Sequence, residues 1–216
     1  MGSQVNKQFL CLSGLPILLH TLRAFEVLPV INDIIIVAAP GEEDFCQNHI
    51  IQENGLVKVR RVVTGGKERQ QSVYNGLQAV DSETDLVLVH DGARPLLDEA
   101  TILRVIEAAR RYGAATCGVP VKDTIKAVDE QGLVTATLER TQLWSIQTPQ
   151  GFRREVLWEA HESALRKELA GTDDAMLVES IGQPVKVVMG SYDNIKVTTP
   201  EDLIVAEAIM AGRKGY

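Results

Sequence analysis

Three stretches of this 216-residue sequence combine acid and cation, two of them with glycine, in patterns that suit phosphate chemistry. His90-Asp91-Gly92-Ala93-Arg94-Pro95 follows a strongly apolar run. An aspartate at a strand's end offers a hard oxygen to Mg2+, which keeps most of its waters and favours phosphate oxygens as its other ligands. Gly92 leaves room for a ligand, and Arg94 presents a bidentate fork for a phosphate. The plainer reading of the same residues is an Asp91–Arg94 pair that pins a loop. Thr64-Gly65-Gly66-Lys67-Glu68-Arg69 joins a strand to a helix, with Ser72 in the first turn. Glycine there lets backbone N–H groups approach a phosphate or a base edge, although many such turns are only structural. Asp193-Asn194-Ile195-Lys196 leads toward the helix at Pro200. A lysine near a helix start opposes the macrodipole unless an anion sits there too. Lys7, beside Phe9, is a similar lone cation, for which a solvated surface position is the bland alternative.

Other chemistries lack their residues. No Ser-His-Asp or Cys-His nucleophile arrangement, H-E-x-x-H, Cys/His metal cluster or nicotinamide-type G-x-G-x-x-G stands out. His90 reads as a packed or hydrogen-bonded histidine, since metal-assisted phosphoryl transfer needs no base of its pKa. Acid plus scattered cations around a crevice suits phosphoryl or nucleotidyl transfer better than hydride or acyl chemistry. Lys plus Arg number 22 against 29 acids, a formal charge of −7, so bulk attraction of nucleic acid or an anionic membrane gains no support. The apolar stretches fall far short of the ~20 residues of a membrane span, and no secretory leader is evident. Cys11, Cys46 and Cys117 are widely spaced and read as small buried residues of a reducing compartment. The expectation is a soluble cytoplasmic protein.

The elements that must position these groups alternate. Asp33–Ala39, Val57–Val63, Asp85–Asp91, Ala114–Val119 and Val185–Met189 read as buried strands. Helix-period stretches separate them: Pro16–Leu28, Glu42–Glu53, Arg69–Val80, Glu99–Tyr112, Glu155–Leu169 and Pro200–Met210, with a short helix through Ser180 after Thr172-Asp173-Asp174. Continuous apolar strands between helices imply an α/β fold, a Rossmann-like, mostly parallel sheet with helices on both faces. The chain reads as a single domain over residues 1–216. Ligands of such a sheet bind beyond the strands' carboxyl ends, where the three acid and cation stretches fall. Residues 121–142 break the alternation: two mixed-polarity strands flank the turn signal Asp129-Glu130-Gln131-Gly132. They imply a protruding β-hairpin arm, which needs a partner to cover its edges, hence a homodimer.

Read together, these segments resemble one family. Asn6-Lys7-Gln8-Phe9-Leu10, Gly65-Gly66-x-x-Arg69-x-x-Ser72-Val73, Val89-His90-Asp91-Gly92-Ala93-Arg94-Pro95 and Asp123-Thr124-Ile125-Lys126 occur in its order. Arg140-x-x-Leu143-Trp144-x-x-Gln147-Thr148-Pro149-Gln150, Thr172-Asp173-Asp174-Ala175 and Asp193-Asn194-Ile195-Lys196-Val197-Thr198 follow. The sequence is similar to the 2-C-methyl-D-erythritol 4-phosphate cytidylyltransferases of non-mevalonate isoprenoid synthesis. The related ribitol-5-phosphate cytidylyltransferases share the scaffold, but Gly92-Ala93 and Leu143-Trp144 favour the former. The resemblance implies CTP and methylerythritol phosphate as substrates, Mg2+ as cofactor and a homodimer built through the arm. It implies that Lys7 binds the triphosphate and stabilises the transition state, Gly66 and Ser72 hold the cytosine, Asp91 the metal and Gly92 the nucleotide. Arg94, Thr172 and Lys196 would hold the methylerythritol phosphate, while Thr124 and Arg140 on the arm reach a neighbouring subunit's site. Lys7, Arg140 and Lys196 are then the catalytic cations.

One departure stands out. The family opens with a central strand and a glycine-rich loop that carries an arginine, whereas Met1-Gly2-Ser3 resembles only the tail of that loop. The expectation is that this strand and loop are missing, that neighbouring strands keep unpaired backbone groups, and that the 216-residue form is unstable or nearly inactive. An inactive nucleotide-binding remnant is therefore the rival from a different functional class.

Overall fold

Short β-branched and aliphatic runs build the strands, and amphipathic stretches between them build the helices. The computed structural model describes residues 7–214, with side chains from Gln8 to Arg213. A small hairpin, Cys11–Leu12 (β1) with Leu15–Pro16 (β2), leads into Ile17–Glu26 (α1), which buries Ile17, Leu18, Thr21, Leu22 and Phe25 along one face. Ile34–Ala38 (β3) precedes Glu43–Phe45 (α2), which continues as π-helical turns over Cys46–Gln52. Val59–Thr64 (β4), Arg69–Gln78 (α3), Leu86–Val89 (β5), Glu99–Tyr112 (α4) and Ala114–Pro120 (β6) follow. The arm is Lys126–Val128 (β7) and Val134–Thr137 (β8). Trp144–Arg153 (β9), Arg154–Arg166 (α5), Asp174–Ser180 (α6), Lys186–Met189 (β10) and Pro200–Lys214 (α7) complete the order.

Local chemistry sets several boundaries. Asp98 caps α4 by accepting the Thr101 backbone N–H at 2.7 Å, and Gly113 ends the helix at φ 87°. At the arm's turn, Asp129 accepts the Gln131 and Leu133 N–H groups, and Gly132 takes φ 80°.

β3 and β4 pair in parallel, and the larger sheet runs β10-β6-β9-β5. Within it β5, β6 and β10 share one direction, and β9 alone runs against them. α1 covers both sheets on one face: Leu18, Leu19 and Leu22 pack with Ile36 and Ala38, while Phe25 packs with Ile34, Leu86 and Leu88. α3 lies on the opposite face, with Gly76 against Val37 and Leu77 in a cluster with Val87 and Val89. Helices on both faces of a mostly parallel arrangement are the α/β fold expected. Among the described residues β3 and β5 each have a strand partner on one side only, and every residue of β5 remains partly exposed.

β9 is the largest departure from the pattern-based expectation. Its Gln147, Thr148 and Gln150 are buried yet polar, so hydrophobic periodicity gave no signal. They are tolerated because each is bonded: Gln150 donates to Asp173 at 2.7 Å and accepts the Ala175 N–H at 3.1 Å. Phe152 supplies the strand's apolar anchor, fully buried and contributing about 2–3 kcal/mol of transfer free energy. Cys11 also corrects the expectation of three buried thiols. It is exposed at the start of β1, whereas burial pushes the Cys46 and Cys117 thiols up to about 11 and about 12. No helix among the described residues is long and apolar enough to cross a membrane.

Candidate active site

β5 delivers Asp91 to the carboxyl edge of the sheet, and side chains from separate segments converge on it. Lys196 Nζ lies 2.9 Å from the carboxylate, Arg69 Nε 3.4 Å and Arg94 Nε 3.6 Å. Arg69 is the first residue of α3, Arg94 stands in the loop after β5, and Lys196 precedes α7. Burial alone would raise the Asp91 pKa, but Lys196, Arg69 and Arg94 outweigh it and hold the carboxyl below its ordinary value. Two of the cations are anchored elsewhere as well. Arg69 Nη1 binds Asp174 at 2.7 Å, and Arg94 Nη1 donates to the Asn194 carbonyl at 2.7 Å. Three cations against Asp91 and Asp174 leave a local surplus of positive charge in a protein whose net charge is −7. Such a surplus suits a polyanion.

The loop that carries Asp91 is fixed by a bonded set of backbone and side-chain groups. Thr148 Oγ1 accepts the Asp91 N–H at 3.0 Å and lies 3.0 Å from His90 Nδ1. His90 Nε2 lies 3.2 Å from the Arg94 carbonyl, which can only accept, so the ring proton sits on Nε2 and the threonine hydroxyl donates to Nδ1. Burial lowers the His90 pKa to about 4, so the imidazole is neutral and shapes the loop rather than moving protons. Val197 N–H donates to Ala93 O at 2.8 Å, and Asn194 Nδ2 donates to Thr148 O at 2.8 Å. These bonds stitch the Asp91 loop to the Lys196 loop.

At the end of β4, Ser72 Oγ accepts the Gly66 N–H at 3.0 Å and donates to Glu68 O at 3.1 Å. A Cβ on Gly66 would stand 2.3 Å from Gln71 Cβ, so only glycine permits this curl. Gly92 is tight as well, with a Cβ there 3.2 Å from Leu18 Cδ1, and its carbonyl accepts from Thr21 at 2.9 Å.

Asp91, Arg94 and Lys196 are thus brought together, with Gly92 in the same loop and the Gly66–Ser72 pair at the end of β4. Thr172 is exposed and leads into α6, two residues before the Asp174 that holds Arg69. Thr124 is exposed at the arm's base, and exposed Arg140 donates to Lys122 O at 2.7 Å; among the described residues no hydrogen bond or ion pair joins either to the Asp91 cluster. The side chain of Lys7 lies outside the described residues.

Arg69 is the residue that the sequence analysis passed over as a site candidate. It opens α3, whose first turn holds no acid, so the reasoning that drew attention to Lys196 applies to it as well. Its counter-charges come from Asp91 and from Asp174, which is 1% exposed and also binds His161 Nε2 at 3.0 Å. Nothing in the spacing of residues 69, 91, 161 and 174 announces this chain of contacts.

No three metal-ligating side chains converge among the described residues. A lone carboxylate at a strand end instead fits an ion that takes most of its ligands from phosphate and water.

Comparison with known proteins places this geometry in context. The family model described as 2-C-methyl-D-erythritol 4-phosphate cytidylyltransferase (IspD) matches residues 1–212. A protein of that name from Pelotomaculum thermopropionicum is 52% identical over 215 residues, covering 100% of this chain and 90% of that protein. The crystal structure of 4-diphosphocytidyl-2C-methyl-D-erythritol synthase from Anaerococcus prevotii is similar at a TM-score of 0.88 and 35% identity, covering 97% of this chain and 92% of the other. That of the 2-C-methyl-D-erythritol 4-phosphate cytidylyltransferase from Thermus thermophilus has a TM-score of 0.80 and 39% identity, covering 94% and 92%. By motif order, profile and fold alike, the chain belongs to the 2-C-methyl-D-erythritol 4-phosphate cytidylyltransferase family.

Proposed function

We propose that this chain transfers a cytidylyl group from CTP to 2-C-methyl-D-erythritol 4-phosphate, releasing pyrophosphate, as a step of isoprenoid precursor synthesis. The supporting observation is the convergence of Lys196, Arg69 and Arg94 on Asp91 at the sheet's carboxyl edge in a member of this family. A phosphate oxygen of the alcohol substrate attacks the α-phosphorus of CTP in line. Negative charge collects on the pentavalent centre as the bond to pyrophosphate breaks. Polyanions must approach each other, so fixed cations rather than a nucleophile or a general acid are the need. Lys7 and Lys196 supply countercharge, and Arg94, Thr172 and Lys196 hold the substrate phosphate. Gly66 and Ser72 shape the cytosine pocket, and Gly92 gives the nucleotide room beside the Asp91 loop. Mg2+ held by Asp91 would neutralise phosphate oxygens when bound. Ribitol-5-phosphate cytidylyltransferase activity is not favoured, since the related proteins named above carry the methylerythritol name. Pyrophosphate release should require CTP and methylerythritol phosphate together. Release with ribitol 5-phosphate at an equal kcat/KM would overturn the substrate assignment. Heat on CTP titration without turnover would favour the nucleotide-binding remnant.

The proposal includes a homodimer. Val128, Leu133, Val134, Leu138, Trp144 and Ile146 are exposed on or beside the arm, and a second copy would cover them. Thr124 and Arg140 would then serve the partner's site. Mixing Asp91→Asn with Arg140→Ala protein should restore part of the activity, and a failure to rescue would count against shared sites. The free cysteines suit a reducing cytoplasm. The one-sided edges of β3 and β5, under the common cover of α1 and α3, would accept one further strand between them.

A further inference from the structure

The cations around Asp91 are not equivalent. Arg69 reaches past it to buried Asp174 at 2.7 Å, and Arg94 is tied to the Asn194 carbonyl at 2.7 Å. Lys196, 43% exposed on a flexible stem, makes the shortest contact with Asp91 and has no second hydrogen-bond or ion-pair partner among the described residues. If any one of these cations leaves the carboxylate, Lys196 loses least. A divalent ion cannot take the Asp91 Oδ2 oxygen while the ammonium stays 2.9 Å away, because like charges at that separation repel strongly.

We propose that Lys196 is an exchangeable counter-ion. In the ligand-free protein it neutralises Asp91; when a divalent cation takes the carboxylate, the ammonium is displaced and turns to the substrate phosphate. Arg69, on Oδ1 and bound to Asp174, stays in place, as does Arg94, which is farther from Oδ2 at 3.6 Å and tied to the Asn194 carbonyl. The exchange keeps the closest position beside the carboxylate occupied by a cation at every stage and presents the lysine to its phosphate only once the metal is seated. This rests on the assignment of Asp91 to the metal made above.

The direct test is Mn2+ alone, titrated into the full chain and followed through loss of the free-ion EPR signal. Lys196→Ala should bind the ion about fivefold more tightly than the unmodified protein, the scale of one partly exposed ion pair removed from competition. Asp91→Asn should bind none at this site. The gain should persist in 1 M KCl, where the Debye length is about 3 Å and a diffuse charge effect has faded. An unchanged or weaker affinity in Lys196→Ala, with Asp91→Asn still abolishing binding, would overturn the exchange and leave the metal assignment standing. A gain confined to low salt would overturn it too. Undiminished binding by Asp91→Asn would remove the metal assignment itself, and the exchange with it.

Discussion

Asp91 and Asp174 share one arginine and little else. Arg69 spans them, with Nε toward Asp91 at 3.4 Å and Nη1 on Asp174 at 2.7 Å. Asp174 is 1% exposed, closed in by Arg69 and by a histidine that is itself buried. Asp91 is 14% exposed and meets its cations at 2.9–3.6 Å, the closest of them, Lys196, itself 43% exposed. The first is a sealed, saturated pair that holds α3, α5 and α6 together. The second is an over-supplied carboxylate at an open edge, poised to trade partners. What distinguishes them is access and the number of cations: three Lys or Arg side chains face Asp91, whereas Asp174 has Arg69 and His161.

Substitutions should separate the two. Asp174→Ala leaves Arg69 and His161 without their buried acceptor, and should cost about 3–5 kcal/mol of stability, a fall in Tm on the order of 10 °C. Asp91→Asn should instead lower kcat about 10²–10³-fold, roughly 3–4 kcal/mol in the transition state, with a smaller change in Tm. A comparable fall in Tm for both, with turnover per folded molecule intact, would erase the distinction.

His90 adds a pH term on the Asp91 side. Its folded pKa of about 4 lies below the unfolded value near 6.5, so the unfolded chain binds the extra proton between them. Its contribution is complete above about pH 6.5 and is lost as pH falls toward 4, on the order of 3 kcal/mol in all. Denaturant melts of His90→Gln across that range should show a flatter profile than the unmodified chain. Arg69→Gln should touch both carboxylates, with a stability loss of about 2 kcal/mol and a rise in KM for CTP as Asp91 shifts. Ser72→Ala should have the smallest effect, about 1 kcal/mol for the lost Gly66 bond, read as a modest rise in KM with kcat unchanged.

The strands at Ile34–Ala38, Ala114–Pro120 and Lys186–Met189 were legible because β-branched runs bounded by turn residues have few other uses. β9 was not, because its polar residues are compatible with burial only through partners distant in sequence, such as Asp173 and Ala175. Lys196, Asp91 and Arg94 drew attention as charges that a helix start or a strand end does not explain. Arg69 carried the same signal in weaker form, diluted by the surface arginines around it.

Amino-acid order alone sufficed for the alternating α/β layout, the arm and the family, since periodicity, turn chemistry and motif order are properties of near neighbours along the chain. The pairing of charges was settled only by folding. Arg69 and Asp174 are 105 positions apart, Lys196 and Asp91 are separated by the same number, and a Coulomb contact depends on separation in space. Which aspartate ends sealed and which stays open to exchange follows from where α6 and the Lys196 loop come to rest.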